Sequence, residues 1–404
     1  MARTSHRVTA ALLVAVLVSA CGNVSSDAGA SGDSGEAPPG ITTDEITLGA
    51  TLPLTGTAAV AGQGLEAGLR IAADEINAAG GINGRKVKLV LLDDGFAPDR
   101  VVTNVRRLVS QEKVYALVAP SGSQGLPGTW SFIADNGTPV WGPVSPADPK
   151  QQEVYLLSAT RASQQQVAID YFAEQGSTKL AVIKQDNDLG VSMKLALDLQ
   201  LPKHPDVKIV ANEDVQPGST DVSSAVNKVI AAKPEALLLA TDNNQVALIL
   251  QHLRQRNITI PVFADQGGAG TGGTSAVGPA GAAAEGLIGG MQADVVSTDN
   301  PSVEHWRSLA KKYQGQQGES GFSLQTYSFL KAFAELVKRL GGDVSYANFN
   351  KTAESLADNP ISLGSIPDIA CGKLPNGHTC VQQAGLAEFK DGKWTVLRKF
   401  TPPK

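Results

Sequence analysis

The chain has 404 residues, a formal net charge of -5, 18% charged and only 5% aromatic residues. It carries no long basic run and no basic-aromatic interleaving, which excludes nucleic acid as a partner class. Roughly 365 residues follow a polar segment ending at Gly40, more than one hydrophobic core serves, so two lobes are expected.

Arg3, His6 and Arg7 form a basic start, and residues 8–18 make an almost uninterrupted apolar run of eleven. A membrane-spanning helix needs about 20 such residues, so residues 1–20 read as an export signal peptide. Val18-Ser19-Ala20-Cys21 resembles a lipobox. That resemblance implies a bacterial lipoprotein whose mature chain begins at lipidated Cys21; ordinary cleavage near Ala20 is the alternative. Losing the first twenty residues removes two arginines and no acid, taking the charge from -5 to -7. Residues 21–40 are rich in Gly, Ser, Asp and Pro, the composition of a flexible tether spanning about 25 Å.

Ile46, Leu48 and Ala50 then alternate with polar neighbours as in a strand. Leu65, Leu69, Ala72 and Ile76 recur at helical spacing, and Gly80, Gly81 and Gly84 stop that helix. Residues 86–92 form a second strand, and an intervening helix requires parallel pairing through a right-handed crossover. Further strands are expected at 114–119, 139–141, 179–184, 207–211, 236–240 and 260–264, and helices at 162–175, 222–232, 245–256, 302–313 and 322–340. Strands 386–389 and 394–400 flank Asp391-Gly392, a strong hairpin signal.

PLTG, the spaced glycines after it, EINAAGGINGRK and a strand ending in DD, all between Thr51 and Asp94, resemble the amino-terminal signature of the branched-chain amino acid-binding family. These Leu/Ile/Val-binding protein-like chains are the type I periplasmic solute-binding proteins of ABC importers. The likeness continues, more thinly, to the carboxy terminus. It implies an α/β fold of two doubly wound parallel-sheet lobes joined by a three-crossover hinge, a Venus-flytrap. The crossings implied lie near Thr160, Gly290 and Pro360, giving one lobe of residues 41–160 with 291–359 and another of 161–290 with 360–404. It also implies a monomer without cofactor that serves a permease and its ATPases, held at the outer face of the cell membrane by Cys21.

With Cys21 lipidated, Cys371 and Cys380 remain as a pair flanking Pro375-Asn376-Gly377, and a disulfide formed outside the cytoplasm is expected. A metal site with His378 is the rival reading, but it musters only three ligands in a strained ring.

Ligand contacts are expected at the carboxy ends of parallel strands. Ser121, Gly122, Ser123 and Gln124 follow a strand, with hydroxyls and amides suited to a carboxylate, and match the serine-rich loop that the family uses for that purpose; helix capping by the serines is the bland alternative. Ser145 follows the next strand, with Pro146 where the family often keeps a second hydroxyl. In the second lobe Asp186 and Leu189 follow one strand, Leu189 standing where an aromatic wall is common. Asp242 follows another strand, with a turn or cap role equally open. Gln266 replaces the acid that often pairs with a ligand ammonium, leaving Asp265 or Asp242 to serve.

No HExxH, GxSxG or GxxxxGK[ST] occurs, and the five histidines are scattered. Residues 268–273 satisfy GxGxxG, yet no apolar helical stripe follows, so a loop is the better reading. The expectation is a non-enzymatic solute-binding protein for an amino acid or a related amide or carboxylate. A sensor feeding a membrane receptor or kinase is the alternative, and an exported enzyme the weaker one.

Overall fold

The computed structural model describes residues 37–56, 58–122, 125–144, 151–271, 276–312, 316–372 and 378–404. The expectations at Cys21, Ser123, Gln124 and Ser145, and those for the signal peptide and most of the tether, lie outside these residues.

Strands β1 (Glu45–Leu52), β2 (Lys86–Asp93), β3 (Ala116–Val118), β4 (Val140–Trp141) and β5 (Val154–Leu156) alternate with helices α1 (Ala59–Ala78), α2 (Pro98–Ser110) and α3 (Trp130–Asn136). A second series follows: α4 (Arg161–Glu174), β6 (Lys179–Gln185), α5 (Asp188–Gln200), β7 (Lys208–Val215), α6 (Ser223–Ala231), β8 (Ala236–Ala240), α7 (Asn243–Gln255), β9 (Val262–Ala264), the single turns α8 (Gln266–Ala269) and α9 (Val277–Ala280), and β10 (Leu287–Met291). The chain then adds α10 (Pro301–Ala310), α11 (Gly321–Arg339), α12 (Tyr346–Glu354) and β11 (His378–Thr379), and closes with β12 (Ala384–Lys390) and β13 (Lys393–Thr401).

Two sheets result, a six-stranded one in the order β11-β5-β4-β3-β1-β2 and a seven-stranded one in the order β13-β12-β10-β9-β8-β6-β7. Both are parallel except where β12 joins β10 and β13. The β12–β13 turn places Asp391 and Gly392 at φ of 51° and 75°. Positive φ at both residues gives the turn a twist that matches the strands, as its Asp-Gly pair foretold.

The spaced glycines of α1 have a packing cause. A Cβ at Gly62 would lie 2.0 Å from the Pro53 carbonyl oxygen, and one at Gly68 2.1 Å from that of Ser323. The first approach seats the PLTG loop on α1, and the second lets α1 seat against α11, where Thr326 donates to the Leu65 carbonyl at 2.8 Å. Leu324, Phe329, Leu330, Phe333 and Leu336 of α11 are all fully buried in the first core. Each contributes about 1.5–3 kcal/mol by burial.

The chain leaves the first sheet after β5 and enters the second lobe at α4, and it returns after β10. The segment after Pro360 first packs against the first sheet. Ile361, Ile366, Ile369, Cys371, Cys380 and Val381 pack in the first core, β11 pairs in parallel with β5, and only from Ala384 does the chain join the second sheet. These six side chains share that core with α11 and α12. Cys371 and Cys380 are joined by a disulfide across nine positions. Cys380 also donates its backbone N–H to the Leu156 carbonyl at 2.9 Å, so the bridge secures the edge of the first sheet rather than an isolated hairpin.

Candidate functional site at two switch points

In a doubly wound sheet the crevice lies where strand order reverses. In the first sheet this is between β1 and β3, and in the second between β6 and β8. Both are spanned by residues from the loops beyond their strands.

At the first, the Ser121 backbone N–H donates to the Thr51 carbonyl at 2.9 Å, tying the β3 loop to the end of β1. That amide is therefore spent on the fold rather than offered to a ligand. Ala119, just before it, has φ of 52°. A side-chain-bearing residue in the left-handed region costs about 1 kcal/mol or more, and such strain gathers at functional loops. Gly122 has φ of 125° and sits where a Cβ would lie 2.7 Å from Val101 Cγ2.

The two aspartates closing β2 organise the same rim. Asp93 accepts from the Leu54, Thr55 and Gly95 backbone N–H groups and from the Thr55 hydroxyl. The hydroxyl bond leads, and together these donors hold its carboxyl below the usual carboxylate range. Asp94 is buried and accepts from the Thr51 hydroxyl at 2.9 Å and the Phe96 N–H at 2.8 Å. Burial outweighs these bonds and pushes its pKa up. The PLTG loop is thus shaped by the aspartate pair 40 positions later.

At the second switch point buried Gln185, the last residue of β6, donates from Nε2 to Asp242 Oδ2 at 2.6 Å and to Gln245 Oε1 at 2.8 Å. Asn187 donates back to Gln185 Oε1 at 2.8 Å and caps α5 through Leu189 N–H. Asp242 Oδ1 caps α7 by accepting from Gln245 N–H. Asp186 is exposed, and Leu189 is half-buried and packs against the core shared by α4 and α5.

At the next strand, β9, Asp265 Oδ1 accepts from Gly268 N–H at 3.0 Å, while its Oδ2 is buried and without a hydrogen bond, 3.8 Å from Arg161 Nε. Gln266 serves the hinge. Its Oε1 accepts from Gln292 N–H at 2.8 Å, and its own N–H donates to Gln164 Oε1 at 2.9 Å. Gln292 Nε2 reaches the Ala159 carbonyl, and Gln325 Nε2 reaches Ser158 Oγ and Gln292 Oε1. Two of the lobe passages are therefore laced together by side-chain amides. Gln185, Asn187, Arg161, Gln164, Gln292 and Gln325 were not singled out as site residues in the sequence. The run Gln164-Gln165-Gln166 at a helix start, all three buried, was the available signal.

A sequence profile of the periplasmic binding protein family matches residues 45–393. The chain belongs to that family. A relative from Pseudomonas aeruginosa named an amino acid binding protein is 26% identical over 78% of this chain and 83% of its own. The Leu/Ile/Val-binding protein BraC3 of Rhizobium johnstonii is 24% identical over 86% of this chain and 93% of its own. Among solved structures, the branched-chain amino acid transporter substrate binding protein LivJ of Streptococcus pneumoniae, in complex with isoleucine, superposes with a TM-score of 0.71 at 20% identity, covering 89% of this chain and all of its own. A fatty acid ABC transporter substrate-binding protein from Thermomonospora curvata gives 0.73 at 16%, covering 91% and 94%. The fold is that of the type I periplasmic binding proteins. Among the described residues no group of three or more His, Cys, Asp or Glu is placed to hold a metal ion, and no helix is long and apolar enough to cross a membrane.

Proposed function

We propose that the protein captures a small polar solute, an amino acid or a related amide or carboxylate, between its two lobes and delivers it to an ABC permease. Export and a lipid on Cys21 place it at the outer face of the membrane, as a monomer. No bond of the solute is made or broken.

The observation that carries this reading is the pair of switch points, each bordered by a polar, internally braced loop set on a rigid sheet. The Ser121 loop faces one and the Gln185–Asp242 bond crosses the other. A solute that touches both rims favours the lobes together over the lobes apart, and a permease reads that difference. Loops held by Asp93 and by Gln185 lose little freedom on binding, so a few charge-assisted bonds suffice for a micromolar dissociation constant, about 8 kcal/mol. Similar proteins are named for branched-chain amino acids and for fatty acids, so the fold leaves the solute open.

The test is a thermal-shift screen of residues 41–404 against amino acids, amides and organic acids, followed by mass spectrometry of the recovered compound. The reading requires a saturable rise in midpoint and recovery of the compound unchanged. A compound converted during incubation would contradict it.

A further inference from the structure

Arg161 stands apart from the other arginines of the second lobe, Arg254, Arg256 and Arg398, which all donate hydrogen bonds. It is the first residue of α4, at the passage from the first sheet, and its side chain is 36% exposed. Among the described residues it donates no hydrogen bond. Its single charge partner among the described residues is Asp265, whose side chain is 3% exposed and whose Oδ2 stands 3.8 Å from Nε, beyond hydrogen-bond reach. A guanidinium carries five N–H donors in a planar fork. Here a buried carboxylate anchors that fork while the donors remain unclaimed.

It lies beside the turn that follows β9. Asp265 follows β9, and a Cβ on neighbouring Gly268 would lie 2.9 Å from the Thr241 carbonyl, so this turn abuts the second switch point. Gly267 leaves room above it, with Arg161 Nη2 3.9 Å from where a Cβ would stand. The amino end of the 14-residue α4 adds its positive dipole to the guanidinium. The nearby acids do not cancel this preference. Both Asp242 oxygens are engaged, by Gln185 and by Gln245 N–H, and Asp186 is exposed to water.

We propose that Arg161 is the specificity-determining residue of the second lobe, that it binds a carboxylate of the solute, and that Asp265 is the positioning residue behind it. The inference rests on the solute-binding reading and narrows it to solutes with a carboxylate directed at the second lobe, acidic amino acids and short dicarboxylates. A neutral side chain such as that of leucine leaves the guanidinium unanswered. An ammonium set there meets a like charge.

Acid and amide isosteres give the test, because glutamate and glutamine, or aspartate and asparagine, differ only in the group that Arg161 reads. Titration calorimetry on residues 41–404 should show the acid of at least one pair bound ten-fold or more tightly over its amide. Arg161→Gln should bring that ratio near one, and Arg161→Lys should restore part of it. Arg161→Gln leaves Asp265 buried without its counter-charge, so the double variant Arg161→Gln/Asp265→Asn controls for folding and should also show a ratio near one. Asp265→Asn alone loosens the anchor, so it should shrink the preference for the acid by less than Arg161→Gln does and leave its direction unchanged. Loss of binding in Asp265→Asn with a gain in Arg161→Gln would overturn the proposal and make Asp265 the partner of a cationic solute. Tight binding of leucine with none of the acids would overturn it too while leaving solute capture intact. Failure of every solute would end both readings.

Discussion

The Thr55 hydroxyl donates a 2.6 Å hydrogen bond to Asp93 Oδ2, and through it the first loop of the chain is held by the end of the second strand. Three backbone N–H groups share the same carboxylate. Asp93→Ala frees them together. The expected loss is about 1–3 kcal/mol in urea unfolding at neutral pH, with weaker solute binding because the rim is no longer set. Equal unfolding midpoints would show that the loop keeps its shape without the carboxylate.

Gly122→Ala places a methyl group 2.7 Å from Val101 Cγ2 at a φ of 125°, a conformation that side-chain-bearing residues rarely adopt. The Ser121 loop must shift away from α2. Solute affinity should fall at least ten-fold, with a stability loss of about 1–3 kcal/mol. Calorimetry and thermal unfolding separate the two effects, and unchanged affinity would remove the loop from the site.

Gln266→Ala removes the acceptor of Gln292 N–H. An unpaired amide between lobes costs about 1–3 kcal/mol unless water reaches it. The change should raise hydrogen exchange at residues 289–293 relative to the sheet interiors. Unaltered exchange there would show that the hinge does not depend on this side chain.

Glu75 accepts from His305 Nε2 and the Tyr327 hydroxyl, each at 2.8 Å, and pairs with Lys331 at 3.0 Å. Burial opposes its ionisation, but the three partners outweigh burial and hold its pKa below the ordinary 4.5. The folded protein therefore binds fewer protons here than the unfolded chain. This stabilisation is present above pH 4.5 and disappears as pH falls through the lowered value. Glu75→Gln should reduce stability at pH 7 and flatten the acid side of the stability profile. A parallel offset at every pH would contradict it.

Much of the fold is legible because its signals are local. The period of Leu65, Leu69, Ala72 and Ile76, the Asp391-Gly392 turn and the polar stops between strands each depend on neighbours in sequence. The packing of Ile361, Ile366 and Ile369 is not legible in the sequence, because they read as irregular chain and share a core with the distant α11 and α12. The site is less legible than the fold for a related reason. Asp93 and Thr55 are separated by 38 positions, Gln185 and Gln245 by 60, and Arg161 and Asp265 by a whole lobe's turn of chain. Gln266 could be marked as a departure from the expected acid, yet its use by Gln292 appears only once β9 and β10 lie side by side. Leu189 shows the same limit, since its apolar character fits a ligand wall and a core position equally.

The central claim is capture by two lobes that draw together around a solute. Small-angle scattering of residues 41–404, with and without a saturating compound from the thermal-shift screen, tests it most directly. A smaller radius of gyration in the bound state, reversed by dialysis with the compound returned intact, is the predicted result. Saturable binding with an unchanged scattering curve would contradict closure.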